Sequence, residues 1–504
     1  MQRGPDRRLD SLMDPTPPVA APLRPVDEVP LPRGCSLALS AGTERFPGGL
    51  IVGGSPFRAM RLNDPAREAL DDLLEHGVRS DDTQVGPFAR RLVAAGMLTP
   101  SWPSPPRDRE QAVTLVVPVK DRPDQLAALL ASLGTLRIIV VDDGSTDAAR
   151  VEEVTQRYGA RLIRLDESQG PSAARNAGMR EVDTELTCFV DSDCVLIGSW
   201  LAPLLAHFSD PMVAAVAPRI VGAQGAGLLA AFERAAGPLD LGPTAALVRP
   251  TSTVSFVPAA CLLVRTDLGP ELFDEALRCG EDVDLVWRLN DAGWLIRYEP
   301  SSIISHPARG SLDAWLVQRW SYGTSAAELE RRHGEAVAPL GGSLVTLVGW
   351  MLVILGLPGV ALGLFGLDGI RLARRLRALT TAPARTSWSL TTAATRAGGP
   401  ILARQVLRSY APLLLVGLAS RRGRRAAAVI VTTAWLGRWL KSDRQLNPAL
   451  FAALSTLDDL SYCAGLWRGV IRTRRSGALR PRFVHASSFI RGSTATNPRE
   501  VSQR

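Results

Sequence analysis

The sequence predicts an α/β protein built on a mostly parallel sheet, with a small module before it and a basic, mostly helical region after it. Three observations lead there. Val113–Val119 and Leu136–Val141 are short apolar runs rich in β-branched residues, as in strands buried on both faces. Between them Leu126, Leu129, Leu130 and Leu133 recur at helical spacing after Pro123, completing a strand–helix–strand unit. The runs then stop on acids: Asp142-Asp143-Gly144 after the second, and Asp191-Ser192-Asp193 after Phe189-Val190. Ligands of such sheets collect at the carboxyl ends of the strands. All four carboxylates are therefore expected along one edge.

Asp191 and Asp193 stand one residue apart, and residues two apart on an extended segment point the same way. Both can then reach one divalent cation. Hard oxygen ligands suit Mg²⁺ or Mn²⁺, which keep waters and share a substrate diphosphate. Downstream, Gly280-Glu281-Asp282 opens a helix with an apolar face at Val283, Val286 and Trp287. Acids at a helix N-terminus satisfy the dipole in any case; at the mouth of a site the same carboxylates can serve as a general base.

These residues resemble the inverting family-2 glycosyltransferases of GT-A fold. The matching pieces are VVPVKDR, IIVVDDGSTD, GPSAARNAGM, FVDSDC, VPAACLLVRT and CGEDVDLVWRLNDAGW, in that family's order over roughly residues 112–306. The resemblance implies roles. Asp142 or Asp143 would bind the nucleotide's base and ribose, with Arg175 near the nucleotide. Asp191 and Asp193 would hold the metal on the sugar nucleotide's diphosphate. Asp282 would activate the acceptor hydroxyl, with Glu281 as the second candidate. His306 matches a histidine that completes the metal shell in some relatives; a packed or capping histidine is the alternative. Gln318-Arg319-Trp320 is two residues too short for the Gln-x-x-Arg-Trp motif of synthases and carries no assignment.

At 504 residues the chain should hold about two to four units. The expected divisions are a disordered Pro-rich segment 1–29, a module 30–100, a linker 101–111, the catalytic domain 112–335, a hydrophobic segment 336–368 and the basic region 369–504. Six cysteines are scattered without a CxxC pair, which reads as small core residues in a reducing compartment. No apolar stretch precedes residue 30, so no secretory signal is expected.

The charge is divided. Residues 369–504 carry 24 basic against 4 acidic side chains, and the rest of the chain 34 against 46. Nucleic-acid binding would call for aromatic interleaving, which the basic region lacks. An anionic membrane surface fits it better, because Ala336–Leu367 contains no charged residue. A helix of that length reaches the thickness of a bilayer core. Arg371, Arg374, Arg375 and Arg377 follow at once, which puts the C-terminal side in the cytoplasm. A single span would leave the catalytic domain outside, away from nucleotide sugars. A re-entrant or interfacial segment, or a pairing with the apolar stretches 411–419 and 426–437, stay open beside it. The expected location is the cell membrane, with catalysis on the cytoplasmic side.

Residues 30–100 read as two or three short strands, a helix capped by Asp64 with Pro65 at its first position, and a second helix from about Pro87 to Ala95. This winged-helix-like unit resembles the peptide-recognition domains of ribosomal-peptide maturation, and on that resemblance it would serve the acceptor side. The whole arrangement resembles the glycosyltransferases of the mycofactocin system. That implies an acceptor derived from a peptide-made redox cofactor, a glucose donor carried on a nucleotide diphosphate, UDP-glucose first, and an oligosaccharide product. Two other readings remain: an envelope enzyme acting on a lipid-linked acceptor, and a non-catalytic binding protein on a GT-A scaffold.

Overall fold

The computed structural model describes residues 16–483, apart from 80–84, 104, 106, 226, 339 and 340. The outer parts of the two expected tails, 1–15 and 484–504, lie outside the described residues.

The N-terminal module has strands β1 (Ser36–Leu39), β2 (Glu44–Phe46), β3 (Leu50–Gly53) and β4 (Arg58–Arg61), helices α1 (Asp64–His76) and α2 (Val85–Ala94), and strand β5 (Leu98–Ser101). β1 pairs with β5, and β2–β3–β4 form a separate antiparallel sheet. Leu37, Ile51, Leu70, Leu73, Phe88 and Leu92 make the shared core. The cap of α1 is Asn63, whose Oδ1 accepts from the Ala66 N–H at 3.0 Å, so the helix is capped one residue before the expected Asp64.

The module is bolted to the back of the next domain. Arg90 on α2 donates to both oxygens of Asp210 (2.7 and 2.8 Å), and both side chains are fully buried. Such a pair fixes geometry more than it adds stability, and removal of one partner leaves a buried charge.

The larger domain begins with β6 (Val113–Val119), α3 (Pro123–Ser132), β7 (Arg137–Asp143), α4 (Ala148–Arg157), β8 (Arg161–Leu165), α5 (Pro171–Met179) and β9 (Leu186–Val190). The four strands are parallel in the order β9–β6–β7–β8. Leu126, Leu129, Leu130 and Leu133 are buried beneath the sheet, on the face that their spacing predicts. Next come β10 (Val195–Ile197), α6 (Leu201–Ala206), β11 (Val213–Gly222), α7 (Leu228–Ala236), β12 (Ala246–Leu247), β13 (Cys261–Arg265), α8 (Glu281–Asp291) and β14 (Leu295–His306). β13 enters antiparallel between β9 and β11, β14 runs parallel to β11, and β10 and β12 pair antiparallel with β14. The sheet is thus parallel where βαβ units build it and mixed where β13 is inserted.

Residues 16–29, expected to be disordered, run along this domain. The Trp294 indole N–H donates to the Ala20 carbonyl (2.6 Å), Arg288 to the Pro17 carbonyl (2.9 Å), and the Ala20 N–H to the Leu268 carbonyl (2.9 Å). A Pro-rich chain makes few hydrogen bonds of its own, yet its carbonyls accept from a folded neighbour.

The C-terminal region consists of α9 (Leu312–His333), α10 (Leu344–Ile354), α11 (Pro358–Leu376), α12 (Pro383–Gly417), α13 (Arg421–Lys441) and α14 (Pro448–Thr473). Here the expected hydrophobic segment 336–368 is corrected. It is two helices, not one, broken at Gly356 (φ 83°) and restarted by Pro358. Among the described residues no helix is long and apolar enough to cross a membrane. Part of the run packs on protein, while Leu344, Val348, Met351, Leu355, Leu357, Val360, Leu362 and Leu367 stay exposed. A Cβ at Gly349 would come within 2.3 Å of the Phe365 ring, and one at Gly399 within 2.6 Å of Trp350, so the three helices touch at glycines. α9 and α14 are drawn together the same way: a Cβ at Gly323 would meet the Tyr462 carbonyl at 2.1 Å, and one at Gly465 the Trp320 carbonyl at 1.9 Å.

Candidate active site

β9 delivers Asp191 from a fully buried strand, Leu186–Val190. The strand stops there, and the Cys194 N–H closes a turn onto the Asp191 carbonyl (3.0 Å). Asp191 and Asp193 therefore converge through a turn, not through the alternation of an extended strand as the sequence reading assumed. β14, next to β10, ends on His306, whose Nε2 lies 3.3 Å from Asp193 Oδ1. Ligand atoms of Asp191, Asp193 and His306 all fall within 4.8 Å of one another. Opposite ligands on an octahedral Mg²⁺ or Mn²⁺ are about 4.2 Å apart, so the three fit one ion with a small closure. Two carboxylates and an imidazole, all half-buried, suit such a cation.

Two arginines orient the carboxylates. Arg122 pairs with Asp193. Arg175, buried on α5, donates to Asp191 Oδ1 (2.8 Å) and to Glu281 Oε1 (3.0 Å), and so bridges the β9 turn to the start of α8. The two anions, more than offsetting its burial, hold its guanidinium firmly protonated. Arg175 thus stands between the two acidic motifs.

Gly280, left-handed at φ 83°, turns the chain into α8. Asp282 follows Glu281, its Oδ1 accepting from the Val283 N–H (2.8 Å) and its Oδ2 from the Ala259 N–H (3.4 Å). Surrounding protein and the neighbouring Glu281 charge push the Asp282 carboxyl up to about 7. A base with that value is half ionised at neutral pH, which suits proton removal from a hydroxyl. Two residues on, buried Asp284 accepts from Arg288 (2.7 Å) and faces His333 (2.9 Å), pinning α8 to the end of α9.

Asp142 and Asp143, both buried at the end of β7, do not line the cavity around Asp282. Asp142 accepts from the Ser145 N–H (2.9 Å) and from Arg164 (2.6 Å). Asp143 is engaged by the loop before α5, accepting from the Gln169 N–H (2.7 Å), the Gly170 N–H (3.0 Å) and Ser168 (2.9 Å).

The cavity has a volume of about 840 Å³ and is floored by Arg175, Asp191, Glu281, Asp282 and His306. Its opposite wall is Tyr322 on α9, Arg404, Gln405 and Arg408 on α12, and Tyr462 on α14. The sequence reading missed this wall. The available signal was Asp458-Asp459, the one acidic doublet in the basic region. None of the described residues among 30–100 lines the cavity.

Fold and site together define a glycosyltransferase of GT-A type. The family model for glycosyl transferase family 2 matches residues 114–268. Over 458 residues the chain is 40% identical to the pre-mycofactocin glycosyltransferase of Mycobacterium tuberculosis, in strains CDC 1551 / Oshkosh and ATCC 25618 / H37Rv, covering 86% of this chain and 95% of that protein. The chain belongs to the mycofactocin-system glycosyltransferases of family 2. The glycosyltransferase AglE of Haloferax volcanii is 25% identical over 42% of this chain and 76% of its own length. Among solved structures, a mannosyltransferase from Pyrobaculum calidifontis in complex with GDP-Man and Mn²⁺ is 16% identical, covering 66% of this chain and 88% of that one, with a TM-score of 0.35.

Proposed function

We propose that the enzyme moves glucose from UDP-glucose onto a peptide-derived mycofactocin precursor in one inverting displacement. One observation carries the reading: Arg175 ties a three-ligand cation cluster to a carboxylate pair at the floor of one cavity. The acceptor oxygen attacks the anomeric carbon, the bond from that carbon to the diphosphate oxygen breaks, and the acceptor proton passes to Asp282. Asp191, Asp193 and His306 would hold Mg²⁺ or Mn²⁺, which when bound offsets charge on the departing diphosphate. Asp142, with Arg164 beside it, serves the nucleoside; Asp143 shapes the loop before α5. The test is incubation of purified protein with UDP-glucose and the precursor. A gain of hexose mass, with a β-linkage by NMR, is expected. Transfer only to a polyprenyl-linked acceptor would support the envelope reading instead.

The same reading sets the enzyme at the cytoplasmic face of the cell membrane as an interfacial protein. Leu355, Leu357, Val360 and Leu362 at the α10–α11 turn and Leu413, Leu415, Val416 and Leu418 at the α12–α13 turn are exposed. Ile354 and Leu414, beside those two turns, pack on one cluster, so the turns lie on the same side. Exposed Arg421, Arg422, Arg424 and Arg425 open α13 next to them. Apolar tips ringed by arginine suit an anionic lipid surface. The protein is expected to float with phosphatidylglycerol liposomes in high salt, and a Leu413→Asp/Val416→Asp variant to stay at the bottom of the gradient. Equal recovery of both proteins at the bottom would refute the membrane reading.

A further inference from the structure

The wall facing Asp282 is long and mixes polar with apolar side chains. Along α9 it runs from Ala314 to Leu329, about 22 Å at 1.5 Å per residue. At about 840 Å³ the cavity is at the upper end of small-molecule sites, more than one sugar ring needs. Arg404 donates to Asp459 (3.2 Å) and lies 3.5 Å from Asp458, and Arg408 lies 3.6 Å from Asp459. Both aspartates are buried, so two guanidinium groups are held in place. Arg319 is shared between Glu233 and Asp458 (2.8 Å to the latter), Arg438 donates to the Ala236 carbonyl (3.0 Å), and Arg309 also lines the cavity.

Arg404 and Arg408, each fixed by a buried carboxylate, and the Gln405 amide beside them are oriented donors that can serve hydroxyl groups. Two aromatic rings, Tyr322 and Tyr462, stand in the same wall, and Arg408 covers the Tyr462 ring at 3.9 Å. Rings that are apolar on the face and polar at the tip suit sugar rings, which are apolar on one side and hydroxylated at the edge.

We propose that α9, α12 and α14 form a row of acceptor subsites that hold a chain of hexose units leading away from Asp282. The inference rests on the glycosyl-transfer reading above and goes further: elongation past the first sugar depends on the C-terminal helices.

Full-length enzyme, UDP-glucose and the precursor are incubated, and the hexose ladder is read by mass spectrometry. Wild type is expected to build a ladder. Tyr462→Ala and Gln405→Ala are expected to stop it after the first additions, with KM for the glycosylated acceptor raised about tenfold, the scale of one ring or one hydrogen bond, and KM for UDP-glucose unchanged. Tyr462→Phe keeps the ring and should keep the ladder. Gln405→Ala covers the case in which Tyr462→Ala fails to fold. Cellotetraose and maltotetraose, titrated calorimetrically, give a readout independent of the donor; one of them should bind, and more weakly to Tyr462→Ala. A ladder and acceptor KM unchanged in both alanine variants, or wild type that transfers hexose but binds neither tetraose, would overturn the subsites while the transfer reading stands. A tetraose bound without any transfer from UDP-glucose would support the subsites and sink the transfer reading.

Discussion

Asp282→Asn lowers kcat about 100- to 10,000-fold, the range of a lost general base, while UDP-glucose still binds. Asparagine keeps the size and the bond from the Val283 N–H to the side-chain oxygen, so the fold and the donor contacts survive. What disappears is proton acceptance, an interaction made only in the transition state, and the loss falls on kcat and kcat/KM alike. The sign of the pH dependence follows from the raised value. Burial and Glu281 push Asp282 up to about 7, so the active carboxylate is lost as pH falls through 7. In wild type, kcat/KM should then drop about tenfold per pH unit on the acid side. Asp282→Asn should lack that limb. Glu281→Gln should cost less than Asp282→Asn, because the amide oxygen still accepts from Arg175. A variant that retains both wild-type kcat and the acid limb would assign the proton to another group.

The catalytic half was legible because its signals are local. An apolar run that ends on acids and glycine makes a strand end, and Leu126, Leu129, Leu130 and Leu133 are buried at their predicted spacing. Gly280-Glu281-Asp282 opens α8 as its composition suggests. What the sequence could not give is which distant segments meet. The Asp191–Asp193 pair was found for an incomplete reason: a turn closes it, and His306 reaches it from β14, more than a hundred residues away.

The hydrophobic run after residue 335 shows the same limit. Hydropathy registers apolar surface and does not say whether lipid or protein covers it. Single glycines facing rings, Gly349 on Phe365 and Gly399 on Trp350, let the helices meet on one side of the run, while Leu355, Leu357, Val360 and Leu362 stay exposed on another. The place of residues 30–100 is likewise a matter of distant contacts. A resemblance names a module and not the surface it docks on, and Arg90 fastens this one to Asp210, with none of its described residues lining the cavity.

Asp193→Asn should cost at least about 100-fold in kcat/KM, since second-shell changes at metal sites alone cost 10- to 100-fold and this change removes a ligand. Asparagine also leaves Arg122 without its carboxylate, at a half-buried position. Positive charge then stays where the diphosphate must dock, so affinity for free UDP without metal is retained or rises, while the increment produced by Mn²⁺ is lost. Calorimetric titration of UDP with and without Mn²⁺ separates the two effects. His306→Ala should give a smaller loss, with the Mn²⁺ increment reduced and not abolished, because two carboxylates remain. Chelation of wild type should abolish turnover, and Mn²⁺ or Mg²⁺ should restore it. An unchanged Mn²⁺ increment in Asp193→Asn would remove the β9 turn from the metal site and leave its pairing with Arg122 as a structural one.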